Sequence, residues 1–298
     1  MNPISVTSFN IQYSLGADLR FDMARAIEAV RNADIICLQE VERHWRRTGN
    51  IDQAAVIEQL LPDRYCAYAP VLDVDASTVD ADGTVTNRRR QFGQMTLSRW
   101  PILSTRLLHL PKVDTGDAPN AWCGAQENVI ATPDGALRVV NVHLTDITET
   151  NRMTQVWALV RQLCDAPIEG GAWNGVEADP EAHTHWQFDD LAPPMPNAAV
   201  VCGDFNDTPD SAVVNVMHRA GFHDTWTTGT ARSPGAVTFK TNPAQGTFED
   251  MRIDFVFANS HLRVIDAEID VECDASDHQP VRATVALSAP GRSSNHTG

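Results

Sequence analysis

The chain is short of positive charge. Its 298 residues carry 23 Lys and Arg against 39 Asp and Glu, for a net charge of −16 and a pI near 4.9. Affinity for nucleic acid comes largely from Lys and Arg displacing counterions from phosphates. A tight, non-specific DNA binder is therefore disfavoured, although segregated charge leaves that class open. Cysteine pairs are missing too. Cys37, Cys66, Cys123, Cys164, Cys202 and Cys273 are scattered without a CxxC or any zinc-type spacing. Cys37 and Cys202 fall inside apolar runs, where a buried free thiol is the ordinary reading. No apolar run approaches the ~18 residues of a membrane span, and the N-terminus lacks the basic and apolar regions of a secretory signal. A reducing, cytoplasmic setting is expected. Heptads, short repeats and a clear linker are also lacking. One domain over residues 1–287 is expected, with a disordered polar tail at 288–298.

What is there is apolar material, 43% of the chain, cut into strands that end in polar residues. The most informative stretch runs over 198–207, an apolar strand followed by Gly203, Asp204 and Asn206. Strand positions two apart share a face, so Asp204 and Asn206 are expected to aim at one target. Residues 4–10 alternate as a strand ending in Asn10. A helix capped by Asp18 follows, with Leu19, Met23, Ile27 and Val30 on one face. Residues 33–40 form a second apolar strand, ending in Glu40. Strand, helix, strand argues for a parallel pair with a crossover. Glu40 alone is also what the first solvated residue past a strand looks like.

Further along, a helix is expected over 53–61, a short strand over 65–71 and a polar loop over 73–90 that ends in Arg88, Arg89 and Arg90. The triple Arg reads equally as a solvated loop end or as a contact for an anionic substrate. Four strands at hairpin-like spacing follow, over 92–99, 102–110, 123–132 and 137–144. His143 sits inside the last, a position that by itself suits a satisfied core histidine. A helix is expected over 148–164. Residues 165–197 have no period and exceed ordinary connections; they read as an insertion. Within it His183, His185, Trp173 and Trp186 could form a lid over a site or a surface excursion. Asp254 interrupts a strand at 252–257, and Asp277-His278 sits in a loop before a final strand over 281–287. Two rounds of strand-helix-strand hint at a duplicated half.

Asn10, Glu40, His143, Asp204, Asn206, Asp254, Asp277 and His278 thus all fall at or near strand ends. Buried carboxylates that converge need a compensating cation. Oxygen ligands without cysteine pairs suit a hard ion such as Mg²⁺ or Mn²⁺, and an Asp-His dipeptide offers a titratable group near neutral pH.

The ordered motifs Ser8-Phe9-Asn10-Ile11, Leu38-Gln39-Glu40-Val41, Asn141-Val142-His143-Leu144, Gly203-Asp204-Phe205-Asn206, Arg252-Ile253-Asp254-Phe255 and Ser276-Asp277-His278-Gln279-Pro280 resemble the endonuclease/exonuclease/phosphatase superfamily. So does the stretch from Phe92-Gly93-Gln94-Met95 through Ser98-Arg99-Trp100-Pro101. The resemblance implies an α/β (α+β) fold, a four-layer sandwich of two packed mixed β-sheets flanked by helices. It implies Glu40 as metal ligand, with Asn10 and Asp277 helping to hold the ion or its waters. Asp204 and Asn206 would position and deprotonate the attacking water. His278, oriented by Asp254, would contact the scissile phosphate and transfer a proton, and His143 would donate to a non-bridging oxygen.

Where nucleases of the superfamily carry a basic residue facing DNA, this chain has Glu42, which is expected to repel phosphates. Together with the −16 charge, this favours a divalent-metal-dependent phosphoesterase acting on a small or medium phosphodiester or monoester: a nucleotide, a phospholipid headgroup or an inositol phosphate. A nuclease, on single strands or RNA rather than duplex DNA, is the enzymatic alternative, with Trp45, Trp100 or Trp122 as stacking surfaces. A non-catalytic metal-binding protein is the third reading.

Overall fold

The computed structural model describes residues 1–116, 119–175, 191–228, 236–244 and 246–288. In chain order the first strands are β1 (Ile4–Asn10), β2 (Ile35–Arg43), β3 (Tyr65–Asp75), the short β4 (Thr78–Val79) and β5 (Val85–Thr86), β6 (Arg89–Ser98) and β7 (Ile102–His109). Then come β8 (Gly124–Thr132), β9 (Gly135–His143), β10 (Ala199–Asp204), β11 (Phe222–Asp224), β12 (Asp254–Asn259), β13 (Leu262–Ile269) and β14 (Val281–Leu287). The helices are α1 (Met23–Val30), α2 (Gln53–Leu60), α3 (Glu149–Glu169), α4 (Ala212–Arg219) and the single turn α5 (Thr225–Thr228).

Two six-stranded mixed sheets form, ordered β13-β14-β1-β2-β6-β3 and β11-β12-β10-β9-β8-β7. Each has one parallel pair at its centre, β1·β2 and β9·β10, and antiparallel pairs outside it. This is the duplicated half that the order of elements hinted at. Side-chain alternation builds four layers. Ile35 and Cys37 face the second sheet, while Ile36 and Leu38 face α1 and α2. In β10, Val200 and Cys202 point between the sheets, and Ala199 and Val201 meet α3 and α4.

Beside this apolar seam the sheets meet through polar side chains. Gln39 Nε2 donates to Asn141 Oδ1 (2.7 Å), Asn141 Nδ2 donates to the Leu38 and Met95 carbonyls, and Thr96 Oγ1 donates to Gln126 Oε1 (2.8 Å). A buried polar network is stable only when its members are satisfied together, so these bonds fix how one sheet sits on the other.

Several boundaries differ from expectation. Asp22, not Asp18, caps α1, accepting from the Arg25 backbone N–H (3.0 Å). Asp18 pairs with the Arg25 guanidinium instead (2.8 Å), and Leu19 is exposed in left-handed backbone (φ +64°). The strand expected over 65–71 runs to Asp75 because β6, starting at Arg89, continues pairing with it; the polar loop shrinks to a hairpin of β4 and β5. The helix expected to end at Cys164 extends to Glu169 through Pro167. Proline has no N–H to give the carbonyl four residues back, which is that of Leu163; the buried Arg138 donates to that carbonyl (3.0 Å) in its place. His183, His185 and Trp186, read as a lid or a surface excursion, lie outside the described residues, as does the tail beyond Ser288.

Candidate active site

Parallel strands of a crossover pair point the same way, so their C-terminal ends share one edge, where open α/β folds place chemistry. Here Asn10 ends β1, His143 ends β9 and Asp204 ends β10. Asp254 begins β12, which runs antiparallel to β10. The register sets His143, Asp204 and Asp254 directly beside one another across three strands. Gly203 lies where a Cβ would run into the Val142 carbonyl, and its φ of +147° is one that glycine accepts.

Glu40 reaches the same edge by a different device. A bulge in the β2·β6 ladder falls between Leu38 and Val41, and Glu40 adopts a φ of +60° inside it. Bulges re-aim side chains, and non-glycine residues in left-handed backbone concentrate at functional sites. Asn206 is a second such residue, at φ +51°. The strand has ended at Asp204, so the two do not share a strand face as the spacing suggested. Instead the Asn206 N–H donates to Asp204 Oδ1 (2.8 Å), an Asx turn that folds both side chains into one cleft.

The expected residues converge closely. Asn10 Nδ2 donates to Glu40 Oε1 and to Asp204 Oδ2, both at 3.0 Å, while its Oδ1 accepts from the Gln12 N–H. His143 Nε2 lies 3.6 Å from Asp204 Oδ2 and 3.9 Å from Glu40 Oε1, so its ring faces the cleft rather than the core. His278 Nε2 lies 3.7 Å from the same Asp204 oxygen, and its Nδ1 is 2.8 Å from Asp254 Oδ2. Ser276 Oγ, donating to the Asn10 carbonyl (2.8 Å), ties the Asp277-His278 loop to the end of β1.

Burial disfavours a charged ring at His278, but the Asp254, Asp204 and Asp277 carboxylates outweigh it and lift the imidazole well above its ordinary value. Burial raises the Asp254 and Asp277 carboxyls as well. The ion-pair partners of Glu40, Asp204, Asp254 and Asp277 among the described residues are histidines, never Lys or Arg. Four acids at one edge without such a partner fit a hard divalent cation. Ligand atoms of Asp204, Asp254 and His278, within 4.8 Å of one another, are one grouping that could hold a metal ion. The cleft measures about 660 Å³.

A family model described as Endonuclease/Exonuclease/phosphatase family matches residues 7–278. The chain belongs to that family. Endonuclease/exonuclease/phosphatase proteins hydrolyse phosphate esters, and this chain is an enzyme of that class. Its fold is similar to that of an endonuclease/exonuclease/phosphatase from Beutenbergia cavernae at 20% identity and TM-score 0.68, covering 97% of this chain and 72% of that one. It is also similar to the human Nocturnin catalytic domain with bound sulfate (15% identity, 96% and 94% covered, TM-score 0.59) and to a Neisseria 3′ phosphatase bound to a product DNA hairpin (15%, 96% and 100%, TM-score 0.56). No curated protein matches the chain by sequence. Among the described residues no helix is long and apolar enough to cross a membrane.

Other residues of this family member's cleft went unnoticed in the sequence, Gln12, Tyr13, Arg47, Arg152 and Phe239, while Trp122, expected as a stacking surface, also lines it. Only Gln12 and Tyr13, directly after Asn10, carried a signal, because they follow a strand end. Glu42 corrects the expectation of phosphate repulsion. It is fully buried and accepts from Arg47 Nε (2.8 Å), Arg47 Nη2 and Thr48 Oγ1 (3.2 Å). The acid is screened, and the group facing the cleft is the Arg47 guanidinium, 3.8 Å over the Tyr13 ring.

Proposed function

We propose that the chain is a divalent-metal-dependent phosphoesterase, with Mg²⁺ or Mn²⁺, that hydrolyses a phosphodiester or monoester in a small or medium substrate such as a nucleotide, phospholipid headgroup or inositol phosphate. One observation carries the reading: two histidines and an asparagine amide meet around a single carboxylate oxygen, Asp204 Oδ2, at the floor of an open cleft. Glu40 and Asp277 hold the cation, with Asn10 bracing Glu40 against Asp204. When bound, the ion neutralises charge that develops on the phosphoryl oxygens.

The chain's own groups do the rest. Asp204 takes the proton of the attacking water, which Asn206 orients. The water oxygen bonds to phosphorus as the ester P–O bond breaks, in line. His143 donates to a non-bridging oxygen. His278, held by Asp254, contacts the scissile phosphate and moves a proton to the leaving oxygen, so the Asp254 contact acts like the orienting acid of a catalytic triad. Asp254 already bonds His278 Nδ1, which favours Glu40 and Asp277 over the Asp204, Asp254 and His278 grouping as the seat of the ion. The chain works as one domain. Six unpaired cysteines support a reducing, cytoplasmic setting.

The test is hydrolysis by purified protein of a diester chromogen, a monoester chromogen, single-stranded RNA and plasmid DNA, each with Mg²⁺, Mn²⁺ or EDTA. Metal-dependent turnover of the small esters with intact plasmid is expected. Plasmid nicking at comparable rates would make the chain a nuclease, and metal binding without turnover of any substrate would make it a binding protein.

A further inference from the structure

A second pocket, shallower and about 300 Å³, adjoins the cleft and is lined by Trp45, Arg46, Arg47 and Arg90. Arg47 lines both spaces, so its side chain is a wall they share. In a chain of net charge −16, many of the arginines are spent on acids. Arg25 pairs with Asp18, Arg43 with Asp52, Arg89 with Asp73, Arg99 with Asp34 and Arg152 with Asp207. Arg46 and Arg90 are different: among the described residues no carboxylate pairs with either. Arg90 gives only its Nε, to the His44 carbonyl (3.2 Å).

The pocket is also held in shape. The Trp45 indole N–H donates to the Gln91 carbonyl (2.7 Å), and the Arg47 and Arg90 guanidinium carbons sit 5.6 and 5.7 Å from the Trp45 ring centroid. Cations over an indole are attracted by its quadrupole, and a stacked guanidinium keeps its in-plane N–H groups for a ligand. Glu42 fixes Arg47 from below. Two guanidinium groups over one indole, with Arg46 lining the same pocket and with Arg46 and Arg90 lacking an acid, make a site for an oxyanion.

We propose that this pocket binds a second phosphate of the substrate whose ester is cleaved in the main cleft; the inference rests on the hydrolytic reading above. The preferred substrates are small molecules carrying at least two phosphate groups. Of the triple Arg in the sequence only Arg90 takes part. A nucleic-acid strand would need a basic track continuing past these four residues, and the flanking Arg89 is already paired with Asp73.

The first measurement is calorimetric binding of inorganic pyrophosphate in EDTA, where the metal-free cleft presents its acids and repels anions. The double variant Arg46→Gln/Arg90→Gln is expected to bind pyrophosphate at least about tenfold more weakly than the parent. Neither residue lies in the core, and an unchanged melting temperature verifies the fold. The second measurement is the ratio of kcat/KM for a bisphosphate ester to that for a single-phosphate chromogen, which should fall about tenfold in the variant through KM. Equal pyrophosphate affinity in parent and variant, or an unchanged ratio, overturns the subsite. A single-stranded oligonucleotide that displaces pyrophosphate and is itself cleaved faster than the bisphosphate overturns the small-molecule assignment. Failure of the parent to turn over any phosphate ester would instead bring down the hydrolytic reading, a result that pyrophosphate binding keeps distinct.

Discussion

Arg47→Met takes away the cation that compensates Glu42 and keeps most of the stem that covers it. Glu42 has no exposed surface, and its charge-bearing partner among the described residues is Arg47. Removing one partner of a buried pair costs about 3–5 kcal/mol. The Arg47 side chain is 46% exposed, and Thr48 continues to donate to the carboxylate, so the low end, about 3 kcal/mol, is expected at pH 8. The cost depends on pH with a defined sign. Burial already raises the Glu42 carboxyl, against the pull of Arg47 and Thr48, and losing Arg47 raises it further. A carboxyl raised in the folded state favours the fold at pH below its unfolded value and loses that stability as pH rises through the folded value. As pH falls toward the unfolded carboxyl value of about 4.3, the orphaned Glu42 takes up a proton and the penalty shrinks. At roughly 2–4 °C per kcal/mol for domains above about 150 residues, the melting temperature should fall by about 6–12 °C at pH 8 and by clearly less at pH 5. Calorimetric scans in EDTA at both pH values read this directly. The double variant Arg47→Met/Glu42→Leu should recover most of the loss, because a buried pair replaced by apolar groups of similar size is often neutral. A loss equal at both pH values, or no recovery in the double variant, would refute the account of Glu42 as a buried acid held by Arg47.

Asn206→Ala should lower kcat/KM by about 10²–10⁴ with little change in melting temperature, and His278→Ala should lower it as much while also lowering the melting temperature, because Asp254 is left buried without its partner; full activity in either removes that residue from the site. Glu40→Gln should raise the Mg²⁺ concentration for half-maximal activity at least about tenfold. If Asp254→Asn moves that midpoint and Glu40→Gln does not, the ion sits on Asp204, Asp254 and His278 instead. Cys123 lines the cleft, yet burial above all pushes its thiol up to about 11. Since the thiolate is the reactive form, iodoacetamide at pH 8 should modify the exposed Cys164 first and leave the half-buried Cys123 until the pH approaches that value; rapid labelling of Cys123 at pH 8 would count against a raised thiol there.

Six of the eight expected site residues line one cleft, with Asn10 and Asp254 hydrogen-bonded to them, because the signal that marked them was topological. A polar residue closing an apolar strand remains at the strand's end in any register, and parallel strands share an edge. Asn10, His143 and Asp204 follow directly from that rule. Asn206 and Glu40 were found for an incomplete reason: the strand stops short of Asn206, and Glu40 depends on a bulge, which one sequence does not display. Glu42 was misjudged because a charge two residues past Glu40 looks solvated until Arg47 and Thr48 fold over it.

The sequence by itself determined most of the strand and helix segments, their periodicities, the two rounds of strand-helix-strand and the set of acids, amides and imidazoles at strand ends, because each is written in local spacing. Tertiary structure alone decided how those ends face one another. Gln39, Asn141, Thr96 and Gln126 are polar residues in strands that look merely interrupted in sequence, and only sheet-on-sheet packing shows that they lock the two halves together. The exchange of partners by Asp18, Arg25 and Asp22, the extension of α3 past Pro167 under Arg138, and the gathering of Arg46, Arg47 and Arg90 around Trp45 have the same origin. Each brings together residues that local propensity does not link, and the Arg138 contact in addition satisfies a carbonyl that Pro167 leaves without a donor.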